Sequence, residues 1–470
     1  MQAAPPVSPA AARQEMLAIM PVRRLLWTLS LPAMAGMATM ALYHVVDTIF
    51  IGRGVGSTAI AGVTIVFPVM MVMMALGFMI GIGAASGASR SLGAGDVRRA
   101  ELALGNAVTL SLLFGLALVV FGVPNSAALV RAFGASAAVE PYAREYLDII
   151  LLGAAFSLYP MAINNLARAE GAARVAMVNM MLGAALNIVL DPIFIFAFDM
   201  GVRGAAIATV VSQVVTCIYV TRYFLSGTST VHLKATALRL TRAVTGEILS
   251  VGFPSLIRMG AASVIVLLIN RSLAFYGGDL SIAAFGIVNR SMQFLAMPLM
   301  GIAQGLQPIL GFSYGSKRFD RALEVTTYSL GVSSLFSVAA FAVLMLSPRA
   351  VMSIFTTDAA LIAEGVHAGR LMFLAFFVVG FQIVGSTVFQ SLGMVMKTIV
   401  AQTSRQVLFL IPLVVVMPRF LQADGIWLAH PVADVLSFFL VLFMLIPLLR
   451  DLRRRHADRP REVLHGVDAS

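Results

Sequence analysis

The sequence predicts an all-α polytopic membrane protein of twelve transmembrane helices, arranged as two like six-helix bundles. Three observations carry this. Apolar residues make up 59% of the 470 and charged residues only 12%, about half the charged share of a soluble domain. Twelve stretches are long and apolar enough to cross a bilayer, which takes about 20 residues each. Landmarks of the first half also recur in the second at one constant offset. A water-soluble fold of this size cannot bury so much apolar surface. A cytosolic enzyme, a disordered chain and a secreted disulfide scaffold are therefore excluded. The single cysteine, Cys217, leaves no disulfide framework and no thiolate metal cluster.

Residues 1–20 of the N-terminal segment 1–23 are polar and rich in Pro and Ala, with no apolar run before Pro21. No cleavable signal is expected, and this segment is assigned to the cytoplasm. The expected spans are 24–50, 58–83, 101–122, 142–165, 173–198, 204–225, 246–270, 281–305, 325–346, 365–390, 396–418 and 426–449. The first six form an amino-terminal bundle over 24–225 and the last six a carboxyl-terminal bundle over 246–449. Between them, 226–245 is rich in Thr, Ser, Lys and Arg and is expected as a linker on the cytoplasmic surface. Residues 450–470 form a basic cytoplasmic tail suited to anionic headgroups. With the N-terminus inside, 23 of the 33 Lys and Arg fall in inner segments, Arg168 and Arg405 among them, and 7 in outer ones. That bias places both termini in the cytoplasm, and the chain is expected in the inner (plasma) membrane. It also accounts for the net charge of +11 without a nucleic-acid partner.

A shift of 222 residues carries Pro32 onto Pro254, Gly83 onto Gly305 and Gly93 onto Gly315. It also carries Arg99-Ala100 onto Arg321-Ala322 and Gly171 onto Gly393. Each half holds an even number of spans, so the two share one orientation. Two such bundles around a central cleft are a natural frame for alternating access.

No GxxxxGK[ST] phosphate loop, HExxH pair or His/Cys cluster is present, so neither ATP-driven transport nor a cofactor is expected. Gly81-Ile-Gly83-Ala-Ala-Ser86 lies in an apolar helix and reads as small-residue helix packing rather than a dinucleotide loop. Most of the 27 Met residues are expected to face lipid or fill the core, and some to line a cavity, where a pliable thioether suits varied ligands.

Ionisable groups inside spans are costly and therefore informative. Asp47 sits in span one and Asp191 in span five, with Asn187 one turn earlier on the same face. Their depths differ by only ~8 Å. Both, with Asn187 and Thr209 of span six, are expected to converge in the outer half of the amino-terminal bundle. Such oxygen ligands suit a proton, or a Na⁺ ion held by Asp47 and Asp191. The structural alternative is that Asp47 caps its helix and Asp191 precedes Pro192 in a turn. Tyr43, one turn before Asp47, is a cavity candidate, and Pro32 is a candidate hinge.

The acid pair is not duplicated: under the shift, Asp47 falls on Ile269 and Asp191 on Leu413. Instead Arg258, Arg290 and Asp434 fall near the midplane of spans seven, eight and twelve. They are expected as an Arg–Asp–Arg network facing the cleft, which either receives an anionic group or is structural. His430, four residues before Asp434, is a further pairing candidate.

Val46-Asp47-Thr48, Gly93-Ala-Gly95-Asp96, Arg168-Ala-Glu170-Gly171, Asn187-Ile-Val-Leu-Asp191-Pro192 and Gln307-Pro308-Ile-Leu-Gly311-Phe-Ser-Tyr-Gly315 resemble the multidrug and toxic compound extrusion (MATE) family. The resemblance covers nearly the whole chain. It implies two bundles forming a V-shaped cleft and cation-coupled efflux of drug-like, often cationic, molecules. In the branch with a cation site in the amino-terminal lobe, the site residues match Asp47, Asn187, Asp191, Thr209 and Asn164, and the bend of the first helix falls at Pro32. Another branch uses an acid in the seventh helix, where this chain reads Gly260-Ala-Ala-Ser263. The expected function is a monomeric secondary exporter of organic compounds by antiport with H⁺ or Na⁺, without enzyme activity. Its partners are the small-molecule substrate and membrane lipids. The alternatives are a lipid-linked sugar flippase of the same superfamily and an intramembrane transferase, for which the scattered His residues give little support.

Overall fold

The computed structural model describes residues 8–54 and 57–458. The outermost parts of the two expected cytoplasmic segments, 1–7 and 459–470, lie outside the described residues. The chain is helical, with no strand among the described residues. A short α1 (Pro9–Ile19) is capped by Ser8, whose Oγ accepts from the Ala11 N–H. The amino-terminal lobe holds α2 (Val22–Gly54), α3 (Ser57–Gly93), α4 (Val97–Ala117), α5 (Ser126–Ala132), α6 (Glu140–Leu152), α7 (Ala154–Ala169), α8 (Ala173–Pro192) and α9 (Gly201–Leu225). The carboxyl-terminal lobe holds α10 (Arg242–Tyr276), α11 (Gly278–Gly315), α12 (Phe319–Leu346), α13 (Pro348–Ser353), α14 (Ala359–Met372), α15 (Phe376–Ser391), α16 (Val395–Thr403), α17 (Ile411–Val416) and α18 (Pro418–Ala457). Wider π-helical turns extend α4 and α8 and join α16 to α17.

Among the described residues, ten helices are long and apolar enough to span a bilayer, and counting each of two bent pairs as one span gives twelve. The bent pairs correct the expectation of continuous spans at 142–165 and 365–390. α6 meets α7 at 55° and α14 meets α15 at 54°. The breaks fall at Gly153 and at 373–375, so the bend itself obeys the 222-residue repeat. Several helices also overrun their expected ends, α3 to Gly93 and α11 to Gly315. Their Gly-containing last turns continue the helix past the expected ends, in α11 through Pro308. The repeat extends to loop backbone. Gly171 and Gly393 both have positive φ, as do Gly95 and its equivalent Lys317.

The packing explains how the lobes sit. One continuous core joins residues of both lobes, from Leu25 and Ala84 to Ile248, Leu306 and Leu452. Of the other two cores, one is built only of amino-terminal residues and the other only of carboxyl-terminal ones. The lobes therefore share a core at the end that carries the linker and part towards the far end, leaving the expected V-shaped cleft. At the shared end α3 crosses α10 and α11, and α2 crosses α11. The crossings need glycine. A Cβ on Gly83 would sit 2.0 Å from the Ile248 carbonyl oxygen, and one on Gly252 would sit 1.8 Å from that of Met79.

The linker is more firmly held than a surface segment. Ser229, Val231 and Ala237 are buried. Glu101 pairs with Lys234 at 2.8 Å. Asn106 donates to the Ala237 and Arg239 carbonyls and accepts from the Thr241 N–H. Buried polar groups of α4 thus fasten the linker to the amino-terminal lobe.

Candidate transport site in the amino-terminal lobe

Two helix contacts assemble the site: α2 packs on α8, and α8 on α9. Asp47 comes from α2, Asn187 and Asp191 from α8, and Thr209 from α9. The Asp47 and Asp191 carboxyls face each other closely enough to interact electrostatically. Asp191 is fully buried and Asn187 and Thr209 nearly so. With its amide turned to satisfy both neighbours, Asn187 Nδ2 donates to Asp191 Oδ2 at 2.7 Å. Its Oδ1 accepts from Thr209 Oγ1 and N at 3.2 Å. Asp47 Oδ1 is buried without a hydrogen-bond partner, so the pair keeps an acceptor free. Asp191 and Pro192 lie in a continuous helical run rather than a turn.

Tyr43 stands over the same group, near both carboxyls and Thr209. Tyr146 of α6, 2% exposed, also approaches Thr209 and the two acids. Tyr146 was missed from sequence because an aromatic residue at helical spacing reads as packing. It lies on the buried face of α6 with Ala143, Leu147 and Ile150, so its spacing is that of ordinary packing residues.

From this group a cavity of ≈ 220 Å³ runs towards the linker end. Its wall is apolar and sulfur-rich, with Met40, Met70, Met73, Met74, Met161, Met180 and Phe78. Tyr43, Asn187 and Thr209 line it on the acid side, and Asn164, Arg168 and Asn179 on the other. Asn164 is not brought to the carboxyl pair. Its Oδ1 accepts from Asn179 Nδ2 at 3.0 Å, because it lies nearer the linker end of α7 than Asp191 does of α8. Arg168 is a second correction: it is 8% exposed and lines this cavity rather than lying in a loop. Pro32 sits inside an unbroken α2.

The carboxyl-terminal lobe differs from the expectation more sharply. Asp434 is buried and pairs with Arg405 Nε, which comes from the π-helical turn 404–410 packed on α18. Neither Arg258 nor Arg290 reaches it among the described residues, and Arg290 is exposed. The expected Arg–Asp–Arg network is therefore replaced by one Arg405–Asp434 pair. Arg405 was assigned to an inner segment from sequence, whereas the wide turn carries it into the core. Around it, Ser437 bonds Ser404 and Gln382, each at 3.0 Å. His430 is buried with neither ring nitrogen hydrogen-bonded, so it does not pair with Asp434.

Two parallel helical lobes, a cleft closed at one end and a buried acid pair beside a cavity define a membrane transporter. The comparisons with known proteins agree. The MatE family model matches residues 32–193 and again 254–416, the second match starting 222 residues after the first. The chain belongs to the MatE family, whose members are transporters, not enzymes. The multidrug export protein MepA of Staphylococcus aureus (strain MRSA252) is 27% identical over 92% of this chain and 95% of its own length. Among solved structures, a ligand complex of the MATE multidrug transporter DinF-BH is 42% identical, with a TM-score of 0.85 over 94% of this chain and 98% of that one. A MATE transporter in a bent conformation gives 0.89 at 26% identity, over 95% of this chain and 99% of that one.

Proposed function

We propose that the chain is a proton-coupled exporter of amphipathic organic molecules in the plasma membrane. Asp47 and Asp191 are its proton site, and the methionine-walled cavity is its substrate chamber. The observation that carries this is the pairing of half-buried Asp47 with fully buried Asp191 beside a largely apolar chamber. Two carboxylates this close repel, so the pair favours holding one proton between them. Asn187 and Thr209 fix Asp191, and the free Oδ1 of Asp47 is a place for the proton to arrive. The close pairing favours H⁺ over Na⁺, which would need both carboxylates spread around it. The excess of Lys and Arg at the linker end supports a cytoplasmic linker and termini, so that the cleft opens outward. The name of MepA supports export of drugs, and the chamber wall supports substrates of varied shape.

Coupling follows if proton and substrate prefer different conformations. One proton moving down 100 mV supplies about 2.3 kcal/mol. The test is uptake and efflux of rhodamine 6G in proteoliposomes under imposed pH or Na⁺ gradients. Wild type should respond to the pH gradient. Asp47→Asn and Asp191→Asn should each lower gradient-driven transport at least about 10-fold while still binding the dye. Full transport by Asp47→Asn would overturn the reading.

A further inference from the structure

Arg168 is the cavity-lining group that the proton site leaves unexplained. Its guanidinium is nine-tenths buried, in the last turn of α7 and on the chamber wall. Its one hydrogen bond among the described residues runs from Nη2 to Asn165 Oδ1 at 2.8 Å. No carboxylate among the described residues lies within 4.0 Å of it. The nearest acid in sequence, Glu170, is engaged elsewhere, by Ser229, the Thr230 and Val231 N–H groups and Tyr223. A guanidinium carries five N–H donors in a planar fork. The C-terminal end of α7 offsets only about half a charge. A buried cation normally has an anionic partner, since an unpaired one costs several kcal/mol. Here the space in front of it is the chamber.

We propose that Arg168 is an anion receptor at the inner end of that chamber. It takes the carboxylate of an amphipathic organic ligand whose aromatic body lies along Met161, Met180 and Phe78. The inference rests on the chamber reading above and names its substrate class. One side of the wall carries Asn164, Asn179, Gln213 and Thr216, which a small inorganic anion could also use; Met161, Met180 and Phe78 offer nothing to such an ion and favour an amphipath. On α8, Asn179 and Asn187 are eight residues apart, about 12 Å along the axis. The chamber therefore separates a carboxylate end at Arg168 from the acid pair by roughly the length of a fused-ring dye.

The test uses two dyes that differ in one group: rhodamine 6G, an ethyl ester, and rhodamine 19, the same molecule with a free carboxylate. Binding of each to the purified full-length protein is measured by fluorescence polarisation, with thermal stability in parallel. Wild type should prefer the acid about 10-fold, as expected for a charge-assisted hydrogen bond. In Arg168→Gln that preference should fall to about one. If Arg168→Gln does not fold, Arg168→Lys keeps the charge but loses the fork, and should retain only part of the preference. Equal binding of ester and acid by wild type, or an unchanged preference in the variants, overturns the proposal and leaves the chamber reading standing. Met161→Trp fills the chamber and should weaken both dyes. If it weakens neither, the chamber reading fails and the proposal with it.

Discussion

At the scale of single residues, the molecule uses buried polar groups in two ways. Some are satisfied by neighbours and fasten parts together; others keep an atom free for something that comes and goes. Glu170 belongs to the first kind. It follows α7 and accepts from Ser229 Oγ and from the backbone N–H groups of Thr230 and Val231 at 2.9 and 3.2 Å. Burial raises its pKa above the ordinary value, against the opposing pull of these bonds and of Arg13. A carboxyl whose folded pKa is raised stabilises the fold fully below its unfolded pKa. That contribution is lost as pH rises through the folded value. The thermal midpoint of the wild type should therefore fall more steeply than that of Glu170→Gln, which cannot ionise, as pH rises above the ordinary carboxylate range. Parallel slopes would show that Glu170 stays charged. Asp47 belongs to the second kind, with one oxygen left bare where a fastening role would have filled it.

Among the elements, the decisive contacts are backbone crossings between the lobes. At Gly83 the obstacle to a side chain is a carbonyl oxygen of α10 at 2.0 Å, which cannot swing aside as a flexible side chain would. Gly83→Val should therefore cost about 3 kcal/mol or more. Gly246→Ala, with nothing within 4 Å, should change stability by less than about 0.5 kcal/mol. Thermal unfolding of both variants in detergent checks this, and a mild Gly83→Val would mean that the crossing is not tight. The same crossings show what the sequence made legible. Twelve spans were readable because the bilayer imposes length and apolarity on each. The repeat was readable because glycines and prolines must recur where backbones meet. The bends at Gly153 and 373–375 were not, since the apolar run continues through them and hides the break. The wide turn at 404–410 hides Arg405 in the same way, so the sequence points to Arg258 and Arg290 as partners of Asp434 instead. The acid pair was foreseeable from helical depth alone. Tyr146 and Arg168 were not, because their placement depends on how α6 and α7 pack.

The whole molecule is a pair of lobes related by a pseudo-two-fold axis, and the axis can be located from contacts. Positions equivalent under the 222-residue shift can touch one another only where the axis passes. A Cβ on Gly93 would meet the Phe312 carbonyl at 2.0 Å, and one on Gly315 the equivalent Arg90 carbonyl, also at 2.0 Å. Ser89 and Gly311 are themselves equivalent, and a Cβ on Gly311 would lie 2.9 Å from Ser89 Cβ. A small separation of α3 and α11 would bring this pair to the roughly 3.5–4.5 Å that a disulfide requires. Ser89→Cys with Gly311→Cys, in a Cys217→Ser background, should therefore cross-link the lobes on the axis. An exporter that works by alternating access must part this crossing to open the linker end. The oxidised protein should bind rhodamine 6G yet lose at least about 10-fold in gradient-driven transport, and a reductant should restore it. Undiminished transport with the disulfide fully formed would mean that the lobes do not separate here, and that the substrate takes a route within one lobe.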